Sequence, residues 1–170
     1  MIQRLRVPLG FVAAVVVIYF AAPTGPAMAF GLPVALAGLL LRLLAAGVIR
    51  KDSSLATSGP YAWTRNPLYF GTFLLVVGFG IMSANAILAL TLLIAMPGIY
   101  LHVIKKEEAH LETLFPGSFQ AYRAKVPVFL PHFRSSKFAF SLDQYIANRE
   151  YNAALGFIAM LAVFIAKWLR

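Results

Sequence analysis

Apolar stretches separated by short polar intervals set the plan of this chain. Behind Arg4 and Arg6, residues 7–22 form a first membrane-length run, and Pro23-Thr24-Gly25-Pro26 ends it. A second run covers 27–49, with Gly31, Gly38 and Gly47 as smooth patches where another helix can approach closely. The third runs over 67–82. Ser83-Ala84-Asn85 is so short a polar link that the fourth, 86–104, must return antiparallel. Pro97-Gly98 predicts a kink in it. Lys105 to Phe115 reads as the same helix continuing beyond the bilayer, stopped by Pro116-Gly117. A basic and aromatic segment, 118–137, carries Pro127 and Pro131 and reads as lying on the membrane surface. The last apolar run, 151–169, fits either a short fifth span or an interfacial helix, and Lys167 and Arg170 at its end weigh against crossing.

The expected fold is therefore all-α. It is one domain, 1–170, a multi-pass integral membrane protein of four to five transmembrane helices. The beginning also fits a secretory signal, with Ala27-Met28-Ala29 as an A-x-A site. A retained first helix is expected, because the next apolar run begins at once as the return leg of a hairpin.

Composition agrees. Of the 170 residues 61% are hydrophobic and 12% charged, against about 25% charged in a soluble domain. The net charge of +9 lies at segment ends, without the basic runs that nucleic acid would need. Alternating spans put Arg4, Arg6, Arg50, Lys51, Arg65, Lys105, Lys106, Arg123 and Lys125 on one side, and the other linkers carry no charge. The positive-inside rule makes that side cytoplasmic, as in a bacterial-type inner membrane. With no cysteine there is no disulfide, thiolate metal site or cysteine nucleophile. The three histidines are too scattered to form a metal site.

Two polar intervals carry the candidate chemistry, 53–71 and 105–131. In the first, Ser58-Gly59-Pro60 is a turn and Asn66-Pro67 a helix start, where the asparagine can accept a bond from the free first-turn N–H groups. The positive dipole end, beside Arg65, favours an anionic ligand group. The plain alternative is a capped loop with an aromatic belt of Tyr61, Trp63 and Tyr69 at the headgroups. In the second interval Glu107 and Glu108 point about 100° apart on a helix, so one can reach a ligand while the other pairs with a lysine. Arg42 sits inside the second span. It either serves a substrate or snorkels to the surface reached at Arg50-Lys51, and snorkelling or headgroup contact is the preferred reading.

Thr57-Ser58-Gly59-Pro60-Tyr61-Ala62-Trp63, then Arg65-Asn66-Pro67-Leu68-Tyr69-Phe70-Gly71, then Glu107-Glu108 with Leu111, Phe115, Tyr122 and Val126-Pro127, form a pattern over about 50–131. It resembles the isoprenylcysteine carboxyl methyltransferases and the related phospholipid N-methyltransferases. These are multi-pass membrane enzymes that use S-adenosylmethionine. The resemblance implies methyl transfer to a lipophilic or prenylated acceptor at the cytoplasmic face, with membrane lipids as surroundings. It puts the cofactor at Ser53, Ser54, Leu55, Ala56, Tyr61, Asn66, Pro67, Leu68, Tyr69 and Glu107. Glu107 would hold the ammonium or ribose, and Arg65 the carboxylate. Arg65 and Glu108 are the residues expected at the chemistry, and Arg42 and His102 are the substrate-side candidates. Two departures stand out. Asn66 replaces a histidine common in the family, and Val103 stands where eukaryotic prenylcysteine enzymes carry a substrate arginine. The competing readings are an NADPH-dependent sterol-type reductase, which shares an Arg-x-Pro-x-Tyr element, and a lipid-binding membrane protein without catalysis.

Overall fold

The computed structural model describes residues 14–170. The first expected span therefore lies partly outside the described residues, and 14–20 form its helical remainder, α1. There follow α2 (Gly25–Ala46), α3 (Pro60–Trp63), α4 (Pro67–Met82), α5 (Ala86–Leu114), α6 (Ser118–Arg123), α7 (Leu142–Ala147) and α8 (Tyr151–Trp168). No strand occurs among the described residues. Helices α2, α5 and α8 are each long and apolar enough to cross a membrane, and α4 is a shorter apolar helix.

Helices α2 and α4 are the antiparallel centre of the bundle. A Cβ on Gly31 would come within 2.5 Å of the Gly78 carbonyl oxygen, and one on Gly38 within 2.5 Å of that of Gly71. These four positions, seven apart on each helix, let the backbones touch. Such small-residue contact takes the place of the hydrophobic drive that lipid cannot supply. Gly47, the third patch expected to receive a helix, instead receives the ring of Phe140.

Helix α4 begins at Pro67 with Asn66 at its cap position, but the Asn66 side chain makes no capping bond. Its amide donates to the Val128 carbonyl, 2.9 Å away. The expected capping role is corrected: a backbone acceptor arriving from a distant segment takes the side chain. At the other end Asn85 does cap α5, accepting from the Leu88 N–H at 3.1 Å. The 29 residues of α5 extend about 44 Å, well beyond a hydrocarbon core of about 30 Å. The helix is assigned without interruption from Ala86 to Leu114, so Lys105 to Leu114 continue it past the apolar run.

Segment 122–141 is tied to the rest of the chain along its length. It is a strap sewn along the polar stretch after α2. The Arg65 N–H donates to the Pro127 carbonyl (2.9 Å), His132 to Trp63 (2.8 Å), Gly59 to Lys137 (3.2 Å) and Ser141 to Gly47 (3.0 Å). Side chains add Trp63 Nε1 to the Arg134 carbonyl at 2.9 Å and Arg134 Nε to the Ala62 carbonyl at 2.8 Å. Phe138 lies over Gly59, whose φ of +56° suits glycine, as Phe140 lies over Gly47. These backbone-to-backbone ties leave no periodic trace in side chains, so the sequence did not announce them.

Helix α8 packs Phe157 and Phe164 on Phe79 of α4. It starts beside Arg42, where Glu150 pairs, and ends with Trp168 beside Gly25. It thus runs nearly the length of α2. Lys167 donates to the Ile18 carbonyl at 2.7 Å, in the last turn of α1. A cation there meets the negative end of a helix, so the lysine that weighed against crossing has a partner inside the bundle.

Candidate cofactor and active site

Both polar intervals meet at one end of the bundle. The Tyr69 hydroxyl, in the first turn of α4, donates to Glu107 Oε1 at 2.6 Å. One residue along α5, Glu108 Oε1 accepts from Arg65 Nε at 2.8 Å. The two glutamates do diverge, but the partner of Glu108 is this arginine and not a lysine. The pair is mostly buried, with side chains 10% and 13% exposed. Arg65 also donates through Nη1 to the carbonyls of Arg123 (2.9 Å) and Val126 (3.0 Å). It therefore binds the strap to α5 as well as carrying charge, and the carboxylate it holds here is that of Glu108.

Beneath this pair lies a cavity of about 60 Å³, lined by Ile49 to Asp52, Ser54, Leu55, Ala56, Tyr61, Arg65, Leu111 and Tyr122. A wider cleft of about 500 Å³ opens on the other side, between Lys105, Glu108, Glu112 and Arg123. Arg65 borders the first space and Glu108 the second, so their ion pair reaches from one to the other. The inner cavity accommodates one polar group, and the wider cleft by itself lies within the range of about 300–1,000 Å³ usual for small-molecule sites.

Tyr61 is 6% exposed. Its hydroxyl is buried and has no hydrogen-bond partner, a state that costs about 1–3 kcal/mol unless a ligand satisfies it. Burial holds its pKa well above the ordinary 10.0; Tyr122, Glu107 and Glu150 act in the same sense and Arg42 against them. Tyr61 is therefore a neutral donor at every working pH. Tyr122, whose hydroxyl donates to the Tyr61 carbonyl at 2.7 Å, is likewise raised by burial, with Arg65 pulling it down.

Other expected residues fall as follows. Ser53 and Ser54 are exposed on the loop, while Leu55 packs against Phe119, Tyr122 and Val126. Pro67 is fully buried and Leu68 half-buried. Val103 is buried among Tyr69, Tyr100 and Ile104. His102 is exposed on α5 and borders neither space. Arg42 has partners within the bundle. Its Nε donates to Glu150 Oε1 at 2.6 Å and its Nη1 to the Leu68 carbonyl at 3.3 Å and to the Thr72 hydroxyl. Sequence reasoning missed Glu150, Tyr122 as a site residue, and the strap. The one signal for Glu150 was an unpaired charge inside a span, which demands a counter-ion from somewhere.

No group of three or more His, Cys, Asp or Glu side chains that could hold a metal ion occurs among the described residues. The donor set suits an organic cofactor with a cationic end. Glu107 accepts, Tyr61 donates, and the loop 50–56 supplies hydroxyls and backbone.

An all-helical membrane bundle with two motif loops joined at one end of it defines the class. Residues 27–118, more than half of the chain, match the phospholipid methyltransferase family, and the chain belongs to it. It is similar to the nickel-cobalt-cadmium resistance protein NccN of Alcaligenes xylosoxydans xylosoxydans, 39% identical over 82 residues, 48% of this chain and 38% of that one. It is also similar to protein-S-isoprenylcysteine O-methyltransferases. That of Schizosaccharomyces pombe is 35% identical over 81 residues (48% of this chain, 34% of that one). The human one is 31% identical over 84 residues (49% and 30%). The chain thus spans about a third of the length of the curated relatives it matches. No solved structure matches it.

Proposed function

We propose that this protein transfers a methyl group from S-adenosylmethionine to a lipophilic acceptor at the membrane face carrying both motifs, the cytoplasmic one by its positive charge. The observation that carries the reading is the junction of Tyr69 with Glu107 and of Arg65 with Glu108, beside a small cavity bordered by Arg65 and by Tyr61, whose buried hydroxyl has no hydrogen-bond partner. Family membership supports the same reaction class.

When bound, S-adenosylmethionine supplies an electrophilic methyl group. The chain would bind its cationic end at Glu107 and a hydroxyl or ring nitrogen at Tyr61. Ser54, Leu55 and Ala56 line one cavity with Tyr61, while Glu107 borders neither that cavity nor the wider cleft. Val103, Ile104 and Tyr100 exclude water on the bilayer side. Holding two reactants in such a place supplies up to about 7–11 kcal/mol of a barrier. An amine or thiol acceptor must surrender a proton, and Glu107 and Glu108 are the bases at the junction.

Charge balance favours an acceptor that is not anionic. Arg42 and Arg65 each already face a carboxylate, and Val103 lies in an apolar cluster. A carboxylate buried beside Arg42 or Arg65 would have to compete for a cation that is already paired, which leaves an anionic acceptor the exposed Arg50, Lys51 and Lys105 that border the two spaces.

The test is incubation of the purified protein and native lipid extract with methyl-labelled S-adenosylmethionine, with NADPH in a parallel thermal-shift titration. Label in a base-stable lipid is the expected result. A base-labile product would overturn the charge argument. A shift with NADPH and no labelled lipid would overturn the methyltransferase reading.

A further inference from the structure

The Arg42 cluster meets the expected cofactor residues only at the Leu68 carbonyl and is built from three distant parts of the chain. Its stem crosses α4 at Gly71. A Cβ there would come within 2.6 Å of Arg42 Cγ, so the glycine that ends the Asn66-to-Gly71 motif makes room for this side chain. The guanidinium then grips the first two turns of α4 at the Leu68 carbonyl and the Thr72 hydroxyl. Thr72 itself donates to the same carbonyl at 2.9 Å. Glu150, one residue before α8, closes the cluster, and the two charged side chains are 14% and 11% exposed. The turn delivering Glu150 is specifically built. Asn148 donates to the carbonyls of Ala46 (2.9 Å) and Ile49 (3.0 Å), satisfying the end of α2. Arg149 adopts φ +54°, a conformation costly for a residue with a side chain.

We infer that Glu150 and Arg42 are positioning residues for the proposed cofactor site, acting through the Leu68–Thr72 turn, so that α8 belongs to the active unit. This deepens the methyltransferase reading and rests on it. The physical reason is the cost of a charge in an apolar surround. Arg42 needs a counter-ion at that depth. With Glu150 in place its fork is fixed, and the Leu68 carbonyl and the following Tyr69 are held at one height beside Glu107. Without it, the guanidinium turns towards the membrane surface and releases the turn. Glu150 lies beyond the residues that match the family, 27–118, while Arg42, Leu68 and Thr72 lie within them.

The test uses the full chain in detergent or nanodiscs. Glu150→Gln keeps the shape and removes the charge, Glu150→Asp keeps the charge, and Thr72→Val removes a different contact of the same cluster. Hydrogen exchange reads the amides of 68–72, and steady-state assays read KM for S-adenosylmethionine against kcat. Glu150→Gln is expected to speed exchange and raise KM about tenfold, the scale of one lost charged hydrogen bond, with a smaller change in kcat. Glu150→Asp should restore most of it, and Thr72→Val should shift exchange in the same direction. A lowered melting temperature with exchange at 68–72 and KM both unmoved would overturn the inference. If the wild type turns over no S-adenosylmethionine, the function fails, and the exchange arm still decides whether Glu150 orders the turn.

Discussion

Replacing Arg65 by alanine is the sharpest perturbation of the structure. It removes one ion pair and two charge-assisted bonds, to Glu108, Arg123 and Val126. Breaking a fully buried pair costs about 3–5 kcal/mol. This one keeps some exposure at both ends and stands at the watery end of the bundle, so about 3 kcal/mol is a fair magnitude. The loss falls on the strap, because that is what Arg65 holds. About 3 kcal/mol corresponds to roughly 150-fold in an opening equilibrium. Hydrogen exchange at the amides of His132 and Gly59, which bond to Trp63 and Lys137, should speed by about that factor. Glu108→Gln keeps an acceptor for Arg65 and should cost only about 1 kcal/mol, or about fivefold. If His132 in Arg65→Ala exchanges within about threefold of the wild type, the strap does not depend on this side chain and the clamp is wrong.

Further predictions concern packing and pH. Gly71→Ala pushes a methyl into Arg42 and to 2.8 Å from the Gly38 carbonyl, so it should cost about 1–3 kcal/mol in a melting experiment. Gly156→Ala in α8, with nothing within 4 Å, should be neutral or stabilising by up to about 1 kcal/mol. Tyr122→Phe strands the buried Tyr61 carbonyl and should cost about 1–3 kcal/mol by denaturant titration. Tyr61 and Tyr122 are both raised above 10.0 by burial. The folded state then holds its protons where the unfolded chain releases them, so stability falls as pH rises above about 10 and is untouched by these groups below it. Phenolate absorbance of the two should appear only together with unfolding; early, non-cooperative ionisation would contradict their burial.

What the sequence disclosed follows from distance along the chain. The Tyr69–Glu107 and Arg65–Glu108 contacts are separated by a single helical hairpin, so a short link at Ser83-Ala84-Asn85 was enough to bring them to one end. The α2–α4 contact was half legible, in glycines seven apart. Arg42 was legible as a problem, a charge inside an apolar run, but its answer lies 108 residues away with no local pattern to announce it. Asn66 reads as a cap because the rule is local, yet the Val128 carbonyl outcompetes the helix for its amide. The strap was invisible for a related reason. Many of its ties are made by backbone groups that every residue possesses, and the side-chain ties, such as Arg134 to the Ala62 carbonyl and Phe138 and Phe140 over Gly59 and Gly47, follow no periodic pattern.

Calorimetric titration of S-adenosylmethionine into the wild type and Glu107→Ala, with Tyr69→Phe as a milder companion, tests the central claim most directly. The account predicts saturable binding to the wild type, little or none to Glu107→Ala, and a partial loss for Tyr69→Phe, which keeps the carboxylate but not its hydroxyl partner. Equal affinity in the wild type and Glu107→Ala would contradict a cofactor site at the junction of the two motifs.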